Sequence, residues 1–376
     1  MGSVNISGFT NSRTSLLTHV TWSPDDRFIV GCFGDRNPEL IDPRTKQTIR
    51  QFVVPSADQP RGQEAFEEVG GFIAAWSPDC HQVAIGRHRM VYIVDATTGG
   101  IRSNHAIRMH PVSAEESLNL LSRDPVLGRL PPIGTPEQQL ARINQFIDAS
   151  TPGLSTLRWD ATGISIGTAI GAYRLDLVNG SKMISLRPNP CPGLVKSPVV
   201  SPNGKFLAGL FIPDVDVLGD LFWNFNRALN IGRRVLQIWN LESGSLETSY
   251  QGDDLPDWKD CRLVWSSDSA KLAWGHDNTV LIFEIFKNAA RVLARSQDDH
   301  IRFMAWHPHY NQLAVHDSTD GIVVYDTISN VRRSAYRDAF WSKFKDSNER
   351  VFAWSNSGES IAVGVQNRSI EVWRAS

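Results

Sequence analysis

The sequence predicts an all-β protein: a seven-bladed β-propeller of four-stranded antiparallel blades, with a small helical insertion. Three observations predict it. A short phrase, usually centred on tryptophan, returns seven times along the 376 residues. A small apolar strand follows each return and, with one exception, ends in glycine. A third strand then closes on an apolar–polar pair before a turn that is typically rich in Gly and Asn, and a more polar fourth strand completes the unit. Four strands per unit, seven times over, is the signature of a propeller.

The phrases, in order, are Val20-Thr21-Trp22-Ser23-Pro24-Asp25, Ala74-Ala75-Trp76-Ser77-Pro78-Asp79, Leu157-Arg158-Trp159-Asp160, Pro198-Val199-Val200-Ser201-Pro202-Asn203, Leu263-Val264-Trp265-Ser266-Ser267-Asp268, Met304-Ala305-Trp306-His307-Pro308 and Phe352-Ala353-Trp354-Ser355-Asn356. The blades are therefore anchored near Trp22, Trp76, Trp159, Val200, Trp265, Trp306 and Trp354. The second strands end in Gly31, Gly86, Gly167, Gly209, Gly275, His316 and Gly364, so glycine is expected at one register in six blades. Glycine inside a strand marks a close approach of backbone. The third strands end in pairs such as Ile41-Asp42, Val94-Asp95, Trp239-Asn240 and Tyr325-Asp326.

These phrases make the chain resemble the WD40-repeat family over nearly its whole length. Propellers of the TolB kind share the Trp-Ser-Pro-Asp phrase, so both subfamilies stay open. WD40 blades usually carry a Gly-His pair before the first strand, in a buried network with an Asp, a Ser or Thr and the Trp. That pair is missing here. His19 and His300 lie too near Trp22 and Trp306 to replace it, and Asp35, Asp277 and Asp320 are the candidates for the Asp positions. The blades are therefore expected to be held mainly by apolar packing. The last blade lacks a fourth strand of its own, and the alternating segment Val4–Phe9 is expected to supply it, which removes an open edge.

Successive anchors are 54, 83, 41, 65, 41 and 48 residues apart. The shortest spacing is a bare blade, and residues 1–376 then form a single propeller with insertions at about 55–71, 104–152, 212–234 and 338–350. In an antiparallel blade, turns one–two and three–four lie on one face of the ring. Turns two–three and the links to the next blade lie on the other. All four insertions are of the second kind, so one face is plain and the other is decorated. The largest insertion reads as two helices, capped at Ser113-Ala114-Glu115-Glu116 and Thr135-Pro136-Glu137-Gln138.

Composition narrows the function classes. Thirty-eight basic and 40 acidic residues give a formal charge of −2, so no global field calls for nucleic acid or an anionic membrane. Cys32, Cys80, Cys191 and Cys261 are far apart and form no zinc or redox motif. The first residues lack a signal peptide and no apolar run is long enough to span a bilayer, so the expected address is cytoplasm or nucleus. Gly163-Ile164-Ser165-Ile166-Gly167 matches a nucleophile elbow, but Ser165 falls inside a second strand. No motif implies a cofactor, and no residue stands out as catalytic.

The resemblance implies a non-enzymatic scaffold for protein partners or a multiprotein complex. Rigidly held loops concentrate binding residues, which points to the decorated face. Its aromatic and basic insertion residues are the candidate contacts: Phe222, Trp223, Phe225 and Arg227, with Phe340, Trp341 and Phe344. The same aromatics can instead pin their loops to the ring. A second reading is an enzyme with a pocket at the channel mouth, built on His276, Asp277, His316 and Asp317, with His276 and His316 as candidate metal ligands. A third is a reader of a basic peptide such as a histone tail. Oligomeric state is not legible in the sequence.

Overall fold

The computed structural model describes residues 2–5, 17–34, 36–45, 47–55, 71–107, 138, 154–168, 171–179, 182–186, 194–212, 235–250, 262–276, 278–295, 301, 303–317, 321–336, 351–365 and 369–375. After a short opening strand, β1 (Gly2–Asn5), the chain builds seven four-stranded antiparallel sheets. Blade 1 is β2 (Leu17–Trp22), β3 (Ile29–Phe33), β4 (Glu39–Asp42) and β5 (Gln47–Gln51). Blade 2 is β6 (Ile73–Trp76), β7 (Gln82–Arg87), β8 (Met90–Asp95) and β9 (Ile101–Ala106). Blade 3 is β10 (Leu154–Asp160), β11 (Gly163–Thr168), β12 (Gly171–Asp176) and β13 (Lys182–Leu186). Blade 4 is β14 (Leu194–Val200), β15 (Phe206–Ile212), β16 (Val235–Asn240) and β17 (Leu246–Tyr250). Blade 5 is β18 (Arg262–Trp265), β19 (Lys271–His276), β20 (Thr279–Glu284) and β21 (Ala289–Arg295). Blade 6 is β22 (Met304–Trp306), β23 (Gln312–Asp317), β24 (Gly321–Asp326) and β25 (Arg332–Tyr336). Blade 7 is β26 (Phe352–Trp354), β27 (Ser360–Val365) and β28 (Ser369–Arg374), completed by β1.

The first strands of successive blades touch in a closed cycle, β2 to β6 to β10 and on through β26 back to β2. They therefore line the axis. The ring is tied by β1, which pairs antiparallel with β28 from Gly2↔Val372 to Asn5↔Ser369. The closing strand starts at Gly2, earlier than the alternation of Val4–Phe9 predicts, and residues 6–9 lie outside the described residues. Of the two expected helices, only Gln138 lies among the described residues, and it is helical. No helix among those residues is long and apolar enough to cross a membrane.

The core sits in the seams between sheets, and the second strands explain how. Val83 and Ile85 of β7 face blade 1, whereas Ala84 faces blade 3. Leu313 and Val315 of β23 face blade 5, whereas Ala314 faces blade 7. Large side chains thus point back and alanine points forward. The alanine makes room for the tryptophan of the next blade: Trp306 packs in the seam with Ala273, and Trp354 in the seam with Ala314.

Those tryptophans also form polar latches. The indole Nε1 of Trp22 donates to the Ala353 carbonyl at 3.1 Å, Trp354 to Ala305 at 3.1 Å, Trp306 to Val264 at 3.0 Å and Trp265 to Val199 at 3.0 Å. Each acceptor lies just before the anchor of the preceding blade, so blades 4, 5, 6, 7 and 1 are linked in series. The apolar seams expected from the missing Gly-His pair are present, and the indoles add a bond to them. Asp35, Asp277 and Asp320 lie outside the described residues. Trp306→Phe keeps most of the apolar contact and strands a buried carbonyl. Its expected cost is about 1–3 kcal/mol, read as a lowered thermal unfolding midpoint. An unchanged midpoint would show that the latch contributes nothing.

The glycine register needs a correction. Gly86 pairs with Ile73, Gly167 with Thr156 and Gly275 with Arg262, each three residues before its anchor. Gly31 pairs with Val20, only two before Trp22. A one-residue slip turns a strand residue to the other face. Accordingly, a Cβ on Gly86 would meet Leu157 and Leu154 of the next blade, and one on Gly31 would meet Ile370 of the preceding one. Gly209 is displaced in the same sense as Gly31, because Leu207, two residues before it, is the residue opposite Val200. Six glycines therefore fall in two registers.

Candidate functional site

The plain face is built from two repeated turns. In the first, the serine hydroxyl after the anchor bonds the acidic residue two positions on and accepts an amide from the start of the second strand. Ser77 Oγ donates to Asp79 at 2.5 Å and accepts the Gln82 amide at 2.9 Å, and Asp79 accepts the His81 amide. Ser23 with Asp25 and Ser266 with Asp268 repeat the Ser–acid bond, and Ser201 makes the same bond to the amide oxygen of Asn203. The Ser77 hydroxyl and the His81 amide hold the Asp79 carboxyl below the usual carboxylate range. In the second turn, Asp42, Asp95, Asp176, Asn240 and Asp326 each accept two amides from the residues that follow. The polar residue that ends each of these third strands is therefore a turn cap.

His307 replaces the serine in blade 6 and does more. Its Nδ1 accepts the His309 and Tyr310 amides, both at 3.1 Å. The ring is therefore neutral with its proton on Nε2, which donates to the Gly358 carbonyl at 3.2 Å. The imidazole also sits edge-on to Trp354 with centroids 4.7 Å apart. His309 reaches the Asn356 carbonyl at 2.7 Å. In the sequence His307 is only the residue after the blade-6 anchor, whereas the fold makes it, with His309, the clasp between blades 6 and 7.

Burial pushes the His307 pKa below its ordinary value, against the opposing pull of the Gly358 carbonyl. A histidine held neutral contributes stability that is complete above its unfolded pKa, about 6.5, and is lost as pH falls from there through its lower folded value. His19, half-buried with Nε2 2.9 Å from the Ala74 carbonyl, is shifted down for the same first reason and adds to the effect. The unfolding midpoint should therefore drop on acidification below about pH 6.5, and His307→Gln should flatten that drop. An equal slope in the variant would remove His307 from the explanation.

On the opposite face, the described chain ends at Pro55 and resumes at Gly71, and does likewise from Ile107 to Leu154, with Gln138 alone described between, from Ile212 to Val235 and from Tyr336 to Val351. By strand connectivity every one of these ends lies on the same side of the ring. The described rim there is cationic and packed on aromatic rings. The Arg36 guanidinium lies 3.7 Å from the Phe33 ring centre, Arg87 lies 4.6 Å from that of Phe72 and Arg262 lies 5.0 Å from that of Phe303. Glu39, almost fully buried beneath, pairs with Arg36 at 3.2 Å and accepts Thr48 and Gln51.

The sequence-predicted site residues fare unevenly. Phe222, Trp223, Phe225, Arg227, Phe340, Trp341 and Phe344 lie outside the described residues, as does Asp277. His276 ends β19, but its side chain is likewise outside them. His316 and Asp317 end β23 and are both buried. His316 occupies the register that Gly86 and Gly275 fill in their blades, against the next blade. Among the described residues no group of three or more His, Cys, Asp or Glu is placed to hold a metal. Ser165 lies mid-strand in β11, where its hydroxyl accepts Arg174 Nη1 at 2.7 Å, and no sharp strand-to-helix turn presents it.

No family model matches the chain, and no curated protein matches it. Among solved structures, the β-propeller domain of Cps50 (Swd1) from Myceliophteria thermophila matches with a TM-score of 0.60 at 10% identity, over 97% of this chain and 99% of that domain. The likeness is one of fold, and the chain has the seven-bladed architecture that its resemblance to WD40-repeat proteins implies.

Proposed function

We propose that this propeller is a non-enzymatic scaffold that engages protein partners through its decorated face. The observation that supports the reading most is the one-sidedness of the ring. Its plain-face turns are short and most are capped by their own side chains, while all four long connections leave from the other face. A closed ring of seven packed sheets gives such connections a stiff base, and a protein-interaction role fits a fold of this kind at a general level.

The aromatic and basic residues of the insertions are the proposed contacts, with Trp223 and Trp341 as anchors. Trp223→Ala and Trp341→Ala should each lose one or more proteins from the set that co-purifies with the full chain, with the unfolding midpoint kept. An unchanged set in both variants would make these residues structural. A channel-mouth enzyme is the weaker reading, because His316 and Asp317 are buried in the β23 seam. A reader of basic peptides is also disfavoured. The described rim presents Arg36, Arg87 and Arg262, and its Glu39 is already paired.

A further inference from the structure

Isolated apolar side chains on a protein surface need no explanation, but a contiguous set does. On the plain face, Phe286 is 78% exposed, Ile328 71%, Tyr310 66% and Val331 51%. They sit on three neighbouring turns of blades 5 and 6. Elsewhere the exposed large apolar residues are spread along outer strands, as with Ile49, Ile101 and Ile184, or stand alone on a turn, as with Val178.

The four are joined by a bonded frame. The Asn311 carbonyl accepts both the amide and the hydroxyl of Thr327, at 2.7 and 2.9 Å, which ties the turn that carries Tyr310 to the turn that carries Ile328. Arg291 donates to the Thr327 carbonyl and to Asn330, and so ties blade 5 to the turn that carries Ile328 and Val331. Phe286 lies in a 3-10 turn, Ile285–Lys287, closed by Asn288 in the left-handed region at φ 47°. Lys287 clamps that turn to Glu284 at 2.7 Å, and Asn288 accepts the Thr248 hydroxyl at 2.8 Å. Lys271 reaches Asn311 at 2.7 Å from beneath. Preorganised surfaces bind at a lower entropic cost.

Charge completes the description. The plain-face turns of blades 5 and 6 and the strand ends beside them carry Lys271, Lys287, Arg291, Arg332 and Arg333 against Asp268, Glu284 and Asp326, a local excess of cations in a chain whose formal charge is −2. We infer that the plain face at blades 5 and 6 is a second docking surface, fitted to a protein segment that presents aromatic or aliphatic side chains flanked by carboxylates. It stands opposite the decorated face and does not depend on it, so one ring would join two partners.

The test uses the full chain as bait for a library of short random peptides, on wild type and on Phe286→Ser/Ile328→Ser. Wild type should select peptides that combine large apolar residues with Asp or Glu. The best of these, labelled for fluorescence anisotropy, should bind the double variant at least about tenfold more weakly. It should also lose affinity to Lys287→Glu and to added salt, which screens exposed charge. Both variants alter exposed positions, and unfolding midpoints near wild type certify the fold. Recovery of no apolar–acidic peptide, or equal binding to the double variant, would overturn the proposal. So would concentration-dependent dimerisation of wild type that the double variant abolishes, because the occupant would then be a second copy.

Discussion

Gly358→Ala should destabilise this protein far more than Gly204→Ala, although both glycines hold the same place in their turns. Both have positive φ, +77° and +71°. A left-handed L-residue costs about 1–2 kcal/mol, and Asp26, Cys80 and Ser269 already meet that cost at the matching position of other blades. The difference lies in what a Cβ would touch. At Gly204 the nearest atom is an Asp160 carboxylate oxygen at 3.5 Å, an ordinary contact. At Gly358 a Cβ would lie 2.2 Å from His307 Cε1 and 2.3 Å from Nε2. That ring cannot step aside, because both of its nitrogens are engaged and Trp354 flanks it. Overpacking adds about 1–3 kcal/mol, and the clasp between blades 6 and 7 would open. Denaturant midpoints for the two variants decide the matter. Equal losses would mean that the imidazole is not locked.

Deleting residues 1–5 is the second large effect. Those residues supply β1, and without it the outer edge of β28 loses its pairing partner over Ser369–Val372. About four ladder bonds at roughly 0.5–1.5 kcal/mol each put the loss at a few kcal/mol. The exposed edge is also a template for other chains, so the truncated protein should unfold at lower temperature and aggregate as concentration rises. An unchanged midpoint with no aggregation would show that the ring holds without β1.

The blade count and the strand order were legible because they repeat. Seven phrases spaced around a common minimum average out local noise, and the apolar–polar end of each third strand marks a turn cap whose partners lie two or three residues away. Registers were less legible. Gly31 and Gly86 look equivalent in the sequence, yet Gly31 comes two residues after Ile29, the partner of its anchor, whereas Gly86 comes three after Val83, so Gly31 falls on the other side of its sheet. The start of the closing strand was also less legible, because alternation is clear only from Val4 while pairing with β28 already begins at Gly2.

By itself the sequence determined the architecture: a ring of seven meanders, tryptophan at the end of most first strands and long connections on one face only. Periodicity carries that information, and periodicity is local. Only the tertiary structure decided what the tryptophans bond, why His307 is neutral and which exposed apolar residues share a surface. Trp22 finds its acceptor at Ala353, at the far end of the chain, and the turn of Tyr310 is tied to that of Ile328 by the Asn311 carbonyl, which accepts the Thr327 hydroxyl. Ring closure sets such pairings, since it brings the first blade against the last and turns of different blades side by side.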